Sequence, residues 1–408
     1  MKKSCLVCGS TKLTQYLNLG KTALANSYLA QSELKKAELR VPLRVYYCHG
    51  CHLAQLGDVV DRKLLFENYA YFSSTSPQLE EYFREYAQNV YRRFPTQTQK
   101  FTLEIASNDG VLLKYFRPLR VRILGVDPAK NIAKVARKNG IDTLAIFFNH
   151  EAAQDILKKY GSAGVIIANN VLAHTDTVHS IMAGVKLLLD PNGVFIFEVQ
   201  YLPDLFRQKA FDNTYHEHLC YFSLAPLMRL LAAYNLQIFD IEQTPAQGGS
   251  IRVYASHTPL LLPVSSSVAE LTQQEKAQGL YTLTTYKKFA HVPKKIKTDL
   301  VRLLKKLKKQ GRTIVGYGAS AKGNTLLQYC GIGPELIDYI VDTAPSKQSK
   351  YTPGTHIPIV APEHLHKVTP DYILLLAWNY ADSIMKKEAW LKTKGAQFIK
   401  PVPRVKII

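Results

Sequence analysis

The sequence lacks the features that are typical of membrane, secreted and fibrous proteins. No apolar run reaches the roughly 18 residues that a membrane-spanning helix needs. No apolar stretch follows the lysines of the N-terminal segment MKKSCLVCGS, so we expect no signal peptide. Six cysteines among 408 residues are too few for a disulfide scaffold. With 47% hydrophobic and 21% charged residues the composition is globular, and we expect a cytoplasmic protein of about two to four domains.

Acidic residues are also scarce, since 32 Asp and Glu stand against 52 Lys and Arg, a formal net charge of +20. Eleven basic residues and one acid, Asp299, lie between Lys287 and Arg312. Apolar residues recur through this run at helical spacing, at Ile296, Leu300, Leu303, Leu304 and Leu307. The pattern predicts an amphipathic helix with a solvated lysine face, and it does not by itself indicate nucleic-acid binding.

Four of the six cysteines form two CxxC pairs near the N-terminus. The predicted metal ligands are Cys5, Cys8, Cys48 and Cys51. Two CxxC turns offer the four thiolates of a tetrahedral zinc ion, and four protein ligands leave no open position for chemistry. We therefore expect a structural zinc site that stabilises a small lobe of residues 1–65.

From residue 101 onward the chain alternates between strand and helix patterns. Strands are expected at 101–105, 121–126, 163–168 and 194–199, and helices at 111–116, 129–139 and 181–189. After the basic helix, a second unit has strands at 313–316, 336–341 and 372–376. This order predicts an α/β fold with parallel, doubly wound sheets. We expect a central Rossmann-like domain at 66–260 and a second Rossmann-like domain at 261–408.

The segment Glu104-Ile-Ala-Ser-Asn-Asp-Gly110 occupies the turn after the first central strand. A dinucleotide fingerprint needs GxGxxG, whereas this turn better fits the acidic, small-residue loop that holds the amino-acid end of S-adenosylmethionine. Asp127 ends the second strand, where it can hold ribose hydroxyls, although each such residue could instead cap a helix. The predicted cofactor-binding residues are Glu104, Ala106, Asn108, Gly110, Asp127, Asn169 and Asn170.

The segment Tyr215-His216-Glu217-His218 concentrates ionisable side chains within four residues. If it is extended, Tyr215 and Glu217 face one way and the two histidines the other. The histidines, with His174 as a third ligand, could then bind a metal. An acid–base role needs fewer assumptions, because histidine titrates near neutral pH.

A glycine-rich loop, Gly316–Gly323, follows the first strand of the second unit and contains Lys322. Backbone N–H groups at the start of a helix bind phosphate, and a lysine adds positive charge. The spacing differs from a Walker A loop, so we exclude a nucleoside triphosphatase. The alternative is an ordinary tight strand-to-helix turn.

These segments together resemble a known family, the sugar C-methyltransferases. The resemblance rests on the paired CxxC lobe followed by EIASNDG, NVLAH, YHEHLCYFS and GYGASAKGNTL, and it runs from Cys5 to about His364. YHEH and GYGASAKG are its most specific parts. Ala106 and Asn108 stand where methyltransferases often have glycine. The resemblance implies a class I methyltransferase fold for the central domain and S-adenosylmethionine as its cofactor.

The resemblance also implies a reaction. The substrate would be a 4-keto-6-deoxy sugar on a nucleoside diphosphate, usually dTDP, whose C3 hydrogen is removed to give an enediolate that takes the methyl group. His218 would be the base, with Glu217 as its orienter or the alternative base. The remaining catalytic residues would be Tyr215, His174 and Tyr69. The substrate-binding residues would be Tyr71, His216, Tyr221, Gly318 and Lys322.

Three further expectations concern partners and rival functions. We expect a nucleotide-sugar substrate, no nucleic-acid or membrane partner, and a monomer or weak homo-oligomer. The second hypothesis is a zinc-containing nucleic-acid methyltransferase, which would show salt-sensitive binding. The third is a non-catalytic binding protein, which S-adenosylmethionine would not stabilise against heat.

Overall fold

A computed structural model describes residues 2–66, 73–75, 77–259 and 262–408. The N-terminal part is a small antiparallel sheet followed by a short helix. Its elements are β1 (Leu13–Ala23), β2 (Arg40–Cys48), β3 (Ala54–Leu56) and α1 (Arg62–Phe66). Because β1 and β2 pair with Leu13 opposite Cys48, the residues that follow the first CxxC pair lie beside the second pair.

The central part contains a seven-stranded sheet flanked by helices. Its elements in chain order are α2 (Pro77–Arg93), α3 (Pro95–Lys100), β4 (Thr102–Ile105), β5 (Ile123–Val126), α4 (Lys130–Lys138), β6 (Thr143–Leu144), α5 (His150–Tyr160), β7 (Ala163–Asn169), α6 (Val178–Leu188), β8 (Leu189–Gln200), α7 (Leu202–Arg207), β9 (Cys220–Tyr221), α8 (Leu224–Ala232), β10 (Leu236–Thr244) and β11 (Ser250–His257).

The strand order of this sheet defines a ligand-binding edge. The order is β10-β11-β8-β7-β4-β5-β6, and only β11 runs antiparallel to its two neighbours. The chain proceeds from β4 to β6 on one side and resumes at β7 on the other. In such sheets ligands bind outside the carboxyl ends of the strands where the order reverses. Here that point lies between β4 and β7.

The C-terminal part repeats this architecture. Its elements are α9 (Ser266–Ala277), α10 (Leu283–Phe289), α11 (His291–Lys309), β12 (Ile314–Tyr317), α12 (Ala321–Cys330), β13 (Ile340–Val341), β14 (Ile359–Val360), α13 (His364–Lys367), β15 (Tyr372–Leu375), α14 (Ala381–Lys387), α15 (Ala389–Thr393), β16 (Gln397–Lys400) and β17 (Lys406–Ile407). The sheet order is β14-β13-β12-β15-β16-β17, so the order reverses between β12 and β15.

β9 connects the central part to the N-terminal sheet. Although it follows β8 in the chain, it pairs antiparallel with β3, with Ala54 opposite Tyr221 and Gln55 opposite Cys220. The N–H of Leu56 also donates to the Leu219 carbonyl at 2.8 Å. The N-terminal sheet is thus hydrogen-bonded to the residues that directly follow the YHEH segment.

The predicted fold class is confirmed, with an N-terminal lobe and two α/β units. The amphipathic basic helix is also confirmed, since α11 buries Ile296, Leu300, Leu304 and Leu307. The domain boundaries at 65 and 260 stay predictions. Within the described residues, none of the helices combines the length and apolar character required to span a bilayer.

Two predicted elements are wrong. The helix expected at 111–116 is a pair of 3₁₀ turns, Leu113–Tyr115 and Arg117–Leu119. Pro118 lacks an N–H and its ring hinders a continuing α-helix, so the short apolar run does not propagate. The strand expected at 336–341 is only Ile340–Val341, because the N–H groups of Leu336 and Ile337 bond back to the Gly333 carbonyl in a turn.

Candidate active site

The carboxyl ends of the central and C-terminal sheets border a cavity of about 450 Å³. Residues that follow β4, β5 and β7 line one side, and residues that follow β12 and β15 line the other. Asn26 and Arg62 from the N-terminal part also line it. All three parts of the chain therefore contribute to this site, whose volume suits small-molecule ligands.

Asp127, at the end of β5, is held at the cavity by backbone donors. Its Oδ2 accepts the N–H of Asn108 and its Oδ1 accepts the N–H of Ala129, both at 2.9 Å. Burial raises the pKa of this carboxyl, and the two donors partly offset the increase. Phe147 and Phe148 line the same cavity. A carboxylate and aromatic surfaces are what a ribose and an adenine require.

Glu104 and Asn169 carry buried polar atoms that the described residues leave unsatisfied. These atoms are Oε2 of Glu104 and Nδ2 of Asn169, near the carboxyl ends of β4 and β7. Burial, reinforced by Asp127 and Asp109, raises the pKa of Glu104 well above its usual range. A buried carboxyl without a cation favours a positively charged ligand group. The α-ammonium of S-adenosylmethionine is such a group, so these residues fit this cofactor.

The loops after β4 and β7 have glycine-like backbone conformations at residues that are not glycine. Ala106, Asn108 and Asn170 line the cavity with φ values of 55°, 50° and 55°. Such left-handed conformations let a ligand approach the backbone closely. Gly110 also has positive φ, but a Cβ there would lie 2.8 Å from Cγ1 of Ile141. It therefore serves packing and does not line the cavity.

Glu198 lines the cavity and was not identified from the sequence. Its carboxylate lies 3.4 Å from the Arg252 guanidinium and accepts a hydrogen bond from the Tyr82 hydroxyl. Tyr86, one turn along α2, donates to Oδ1 of Asn169 at 3.3 Å. A carboxylate inside the otherwise apolar run of β8 is the signal that sequence reasoning could have used.

The YHEH segment forms a turn rather than a strand, so the alternation expected for an extended segment does not apply. The N–H of His218 donates to the Tyr215 carbonyl at 2.9 Å. This turn brings the Tyr215 and His218 rings to a centroid distance of 4.0 Å, and both residues line the cavity. His174 lies edge-on to His218, with ring centroids 4.8 Å apart, and also lines the cavity.

His218 is held in one tautomer. Its Nδ1 lies 2.8 Å from the Asn213 carbonyl oxygen. Because a carbonyl oxygen can only accept, Nδ1 carries the proton and Nε2 of the neutral ring keeps a free lone pair. Burial lowers the pKa of His218 well below its usual range, and His174 and Lys322 lower it further. Burial also lowers the pKa of His174 to about 4. Both rings are therefore neutral near pH 7.

His216 and Glu217 do not line the cavity. Nε2 of His216 lies 3.2 Å from the Val41 carbonyl of β2, and Oε1 of Glu217 accepts from Nδ2 of Asn26 at 3.0 Å. Neither residue hydrogen-bonds to His218. The alternative of a metal held by two histidines is wrong, because the turn separates them. Among the described residues, only the four cysteines form a cluster with metal-ligand geometry.

Outside the YHEH segment, three tyrosines were predicted to belong to the site, and the structure describes one of them. Tyr221, in β9, lines the cavity. Tyr69 and Tyr71 lie outside the described residues.

Lys322 reaches the cavity from the glycine-rich loop, at the second residue of α12. Its Nζ lies 5.7 Å from the centroid of the Trp378 ring, whose Nε1 donates to Oδ2 of Asp212 at 2.5 Å. Burial lowers the pKa of Lys322, and Asp212 opposes that change. Gly318 does not line the cavity. Its φ is +87°, and a Cβ there would lie 2.7 Å from Cβ of Ala377, so the two loops could not pack as they do.

The four cysteine sulfurs fit a tetrahedral zinc ion. All four lie within 4.8 Å of one another, with Cys5 to Cys51 and Cys8 to Cys48 both at 3.5 Å. Four thiolates about 2.3 Å from zinc would stand about 3.8 Å apart. Backbone N–H groups of Val7 and Gly50 point at Sγ atoms, as in metal-binding knuckles. The cluster supplies four ligands, so its role is structural.

Three family models match consecutive parts of the chain. They are described as "Putative zinc binding domain" over residues 5–66, "Methyltransferase domain" over 79–241 and "C-methyltransferase C-terminal domain" over 245–403. The C-methyltransferase NovU of Streptomyces niveus is 35% identical over 404 residues, which cover 99% of this chain and 96% of that protein. The chain belongs to the C-methyltransferase family.

Two similar solved structures each cover less than half of this C-methyltransferase. Magnesium protoporphyrin IX methyltransferase of Synechocystis matches with a TM-score of 0.35 and 13% identity, over 44% of this chain and 83% of that one. The PH0226 protein of Pyrococcus horikoshii matches with a TM-score of 0.36 and 11% identity, over 49% of this chain and all of that one. At these scores the likenesses carry no further conclusion.

The family assignment confirms several predictions. This C-methyltransferase is an S-adenosylmethionine-dependent transferase with a four-cysteine zinc site. The predicted enzyme class and cofactors are therefore correct. The roles of individual site residues stay predictions.

Proposed function

We propose that this C-methyltransferase methylates C3 of a dTDP-linked 4-keto-6-deoxy sugar through an enediolate. The observation that carries the proposal is the lone pair on Nε2 of the half-buried, neutral His218, in a cavity bordered by the carboxyl ends of two α/β sheets. One fold suits the cofactor and the other suits a second, phosphate-bearing ligand. None of the described residues that line this cavity comes from the basic run 287–312, which favours a small-molecule substrate over nucleic acid.

His218 is the proposed base. The 4-keto group acidifies the C3 hydrogen, and Nε2 takes that proton while the C–H bonding pair enters the enediolate. The low pKa keeps the ring unprotonated before reaction. Because burial disfavours the imidazolium, the proton must then leave Nε2 for water before the next turnover.

Tyr215 and His174 are the proposed hydrogen-bonding partners of the sugar and of the enediolate oxygen. Their rings lie within 5 Å of the His218 ring, measured between centroids. Donors already in place when charge develops lower the barrier without reorganisation. Tyr221 belongs to the same substrate surface, and Tyr69 and Tyr71 keep the roles that the resemblance implies.

Glu104, Asn108, Asp127 and Asn169 are the proposed cofactor contacts. When bound, S-adenosylmethionine supplies an electrophilic methyl group whose transfer leaves the bonding electron pair on sulfur. Glu104 would pair with the α-ammonium and Asp127 with the ribose hydroxyls. Holding both ligands in one cavity replaces a bimolecular encounter by a positioned reaction.

The N-terminus of α12 is the proposed diphosphate site. Lys322 and Lys347 line this side of the cavity, and the helix dipole adds to their positive charge. The burial of Lys322 means that an anionic partner would restore its usual pKa.

The experiment is a His218→Asn substitution, assayed for methyl transfer and for exchange of the C3 hydrogen into heavy water. Loss of both by about 10²-fold or more would support His218 as the base. Loss of transfer with undiminished exchange would exclude it and leave Glu217, which Glu217→Gln then tests.

A further inference from the structure

Asn26 lines the cavity, whereas its hydrogen-bond partner Glu217 does not. Nδ2 of Asn26 donates to Oε1 of Glu217 at 3.0 Å, and Oε2 of Glu217 is buried without a partner among the described residues. Asn26 belongs to the connection between β1 and β2, residues 24–39, which we call the strap. Asn26 lies 191 positions from Glu217 in the chain, and it connects this buried carboxylate to the cavity.

The backbone around Asn26 is fixed by the C-terminal part. The Asn324 amide donates to the Ala25 carbonyl at 2.7 Å, and the Tyr28 hydroxyl donates to the Ala319 carbonyl at 2.5 Å. Asn324 is fully buried in α12. The position of Asn26 is therefore set on both sides by the helix and loop that carry Lys322.

The orientation of the Asn26 amide is fixed by Glu217. An unanchored asparagine can turn its amide over and present either a donor or an acceptor. Oε1 of Glu217 accepts from Nδ2 of Asn26, and this bond favours the ionised carboxylate, which can only accept, although burial raises the pKa of Glu217. Oδ1 and the second N–H hydrogen of Asn26 then keep a defined arrangement for a ligand.

We propose that Asn26 recognises a hydroxyl of the keto sugar and that Glu217 is a positioning residue acting through the Asn26 amide. The proposal depends on the sugar substrate proposed above. It assigns Asn26 a binding role that no motif in the sequence indicates, and it removes Glu217 from proton transfer. A hydroxyl can use both free groups of the Asn26 amide, because it donates to Oδ1 and accepts from the second N–H hydrogen, whereas a ketone can only accept and would leave Oδ1 unpaired.

A double-mutant cycle tests this assignment. Asn26→Ala, Glu217→Gln and the double variant are titrated calorimetrically with a dTDP-linked 4-keto-6-deoxy sugar and, separately, with dTDP. Each single variant should bind the sugar nucleotide about ten-fold more weakly and dTDP unchanged. The double variant should lose no more than the worse single variant, because the two residues act in series.

The steady-state signature separates positioning from catalysis. Asn26→Ala and Glu217→Gln should raise KM for the sugar nucleotide, and exchange of the C3 hydrogen at saturation should continue. Glu38→Gln is the matched control, because Glu38 anchors the strap to His356 outside the cavity, at 2.8 Å, and its loss should leave both constants unchanged.

Several outcomes would overturn the assignment. The assignment fails if the losses of binding free energy in the two single variants add up in the double variant. It also fails if Asn26→Ala folds and binds the sugar nucleotide as tightly as the wild type does. Loss of exchange in Glu217→Gln would return Glu217 to the base role. If the wild-type protein binds S-adenosylhomocysteine but neither nucleotide ligand, the proposed substrate fails instead. Thermal unfolding of each variant reports folding, and Asn26→Ser, which keeps a polar group, replaces Asn26→Ala if that variant does not fold.

Discussion

Asp127 and Asp342 make the same pair of hydrogen bonds in the two α/β units. Each follows the second strand of its unit, and one carboxylate oxygen accepts an N–H from the loop after the first strand. For Asp342 this donor is Ala319 at 2.8 Å. The other oxygen accepts the N–H two residues further on, which is Ala344 for Asp342 at 2.8 Å. Both units therefore build a nucleotide-type crevice in the same way.

The two carboxylates differ in their charged neighbours. Nζ of Lys347 lies 3.6 Å from Oδ2 of Asp342, whereas Asp127 has the buried carboxyls Asp109 and Glu104 nearby. A carboxylate whose charge is balanced by a neighbouring lysine suits an anionic ligand. A carboxylate without a neighbouring cation suits hydroxyl groups or a cationic ligand. The paired units thus favour different ligands.

The first prediction is a matched pair of substitutions. Asp127→Asn should weaken binding of S-adenosylhomocysteine about ten-fold and leave dTDP binding unchanged, since an amide accepts fewer hydrogen bonds from ribose. Asp342→Asn should do the reverse, because Lys347 and the glycine-rich loop lose their anchor. Calorimetric titration of each variant with both ligands measures this. Equal effects on both ligands would contradict the division of labour.

The second prediction concerns zinc. Removal of the metal, or Cys48→Ser, should lower the unfolding temperature by about 5–10 °C, because metal binding contributes to folding. It should also speed amide exchange at Leu56, which donates to the carbonyl of Leu219, directly after the Tyr215–His218 turn. Cys330→Ser is the control, since Cys330 is buried outside the cluster. Unchanged exchange at Leu56 in the zinc-free protein would show that the turn holds without the metal.

The third prediction is the pH dependence of catalysis. A base must be unprotonated, so activity falls as pH drops through its pKa. Because burial puts the pKa of His218 well below the usual 6.5, kcat should stay level between pH 7 and 6, where an ordinary histidine would already lose activity. His174→Asn should move the acid limb to higher pH, because His174 lowers the pKa of His218 and this contribution is lost with the ring. An acid limb centred near pH 6.5 would argue against a buried neutral base.

The sequence predicts those parts of the site that depend on local spacing. The CxxC pairs, Asp127 after its strand and Lys322 in its loop were all identified, because each has a fixed place relative to one strand or turn. His174 was grouped with His218 either as a third ligand of a possible metal or, through the family resemblance, as a substrate contact, and no local spacing predicted the contact between the two rings. The structure brings their rings to 4.8 Å, although 43 residues separate them.

Other parts of the site depend on contacts that no local pattern encodes. Asn26 reaches the cavity because the strap docks on α12, and nothing within the strap indicates that partner. The facing of the YHEH side chains could be stated only for an extended segment, and the turn from Tyr215 to His218 removes that condition. Glu198 stayed hidden since one carboxylate in an apolar run also fits a strand end.

The pairing of β3 with β9 has a consequence for how the chain is handled. The N-terminal sheet acquires its fourth strand only from residues 220–221, more than 160 residues downstream. A fragment that stops near residue 65 would contain all four zinc ligands but would lack β9. The N–H and C=O groups of β3 would then form an exposed sheet edge that can pair with other molecules. The metal-bound lobe is better regarded as the first half of a sheet than as a module to be excised.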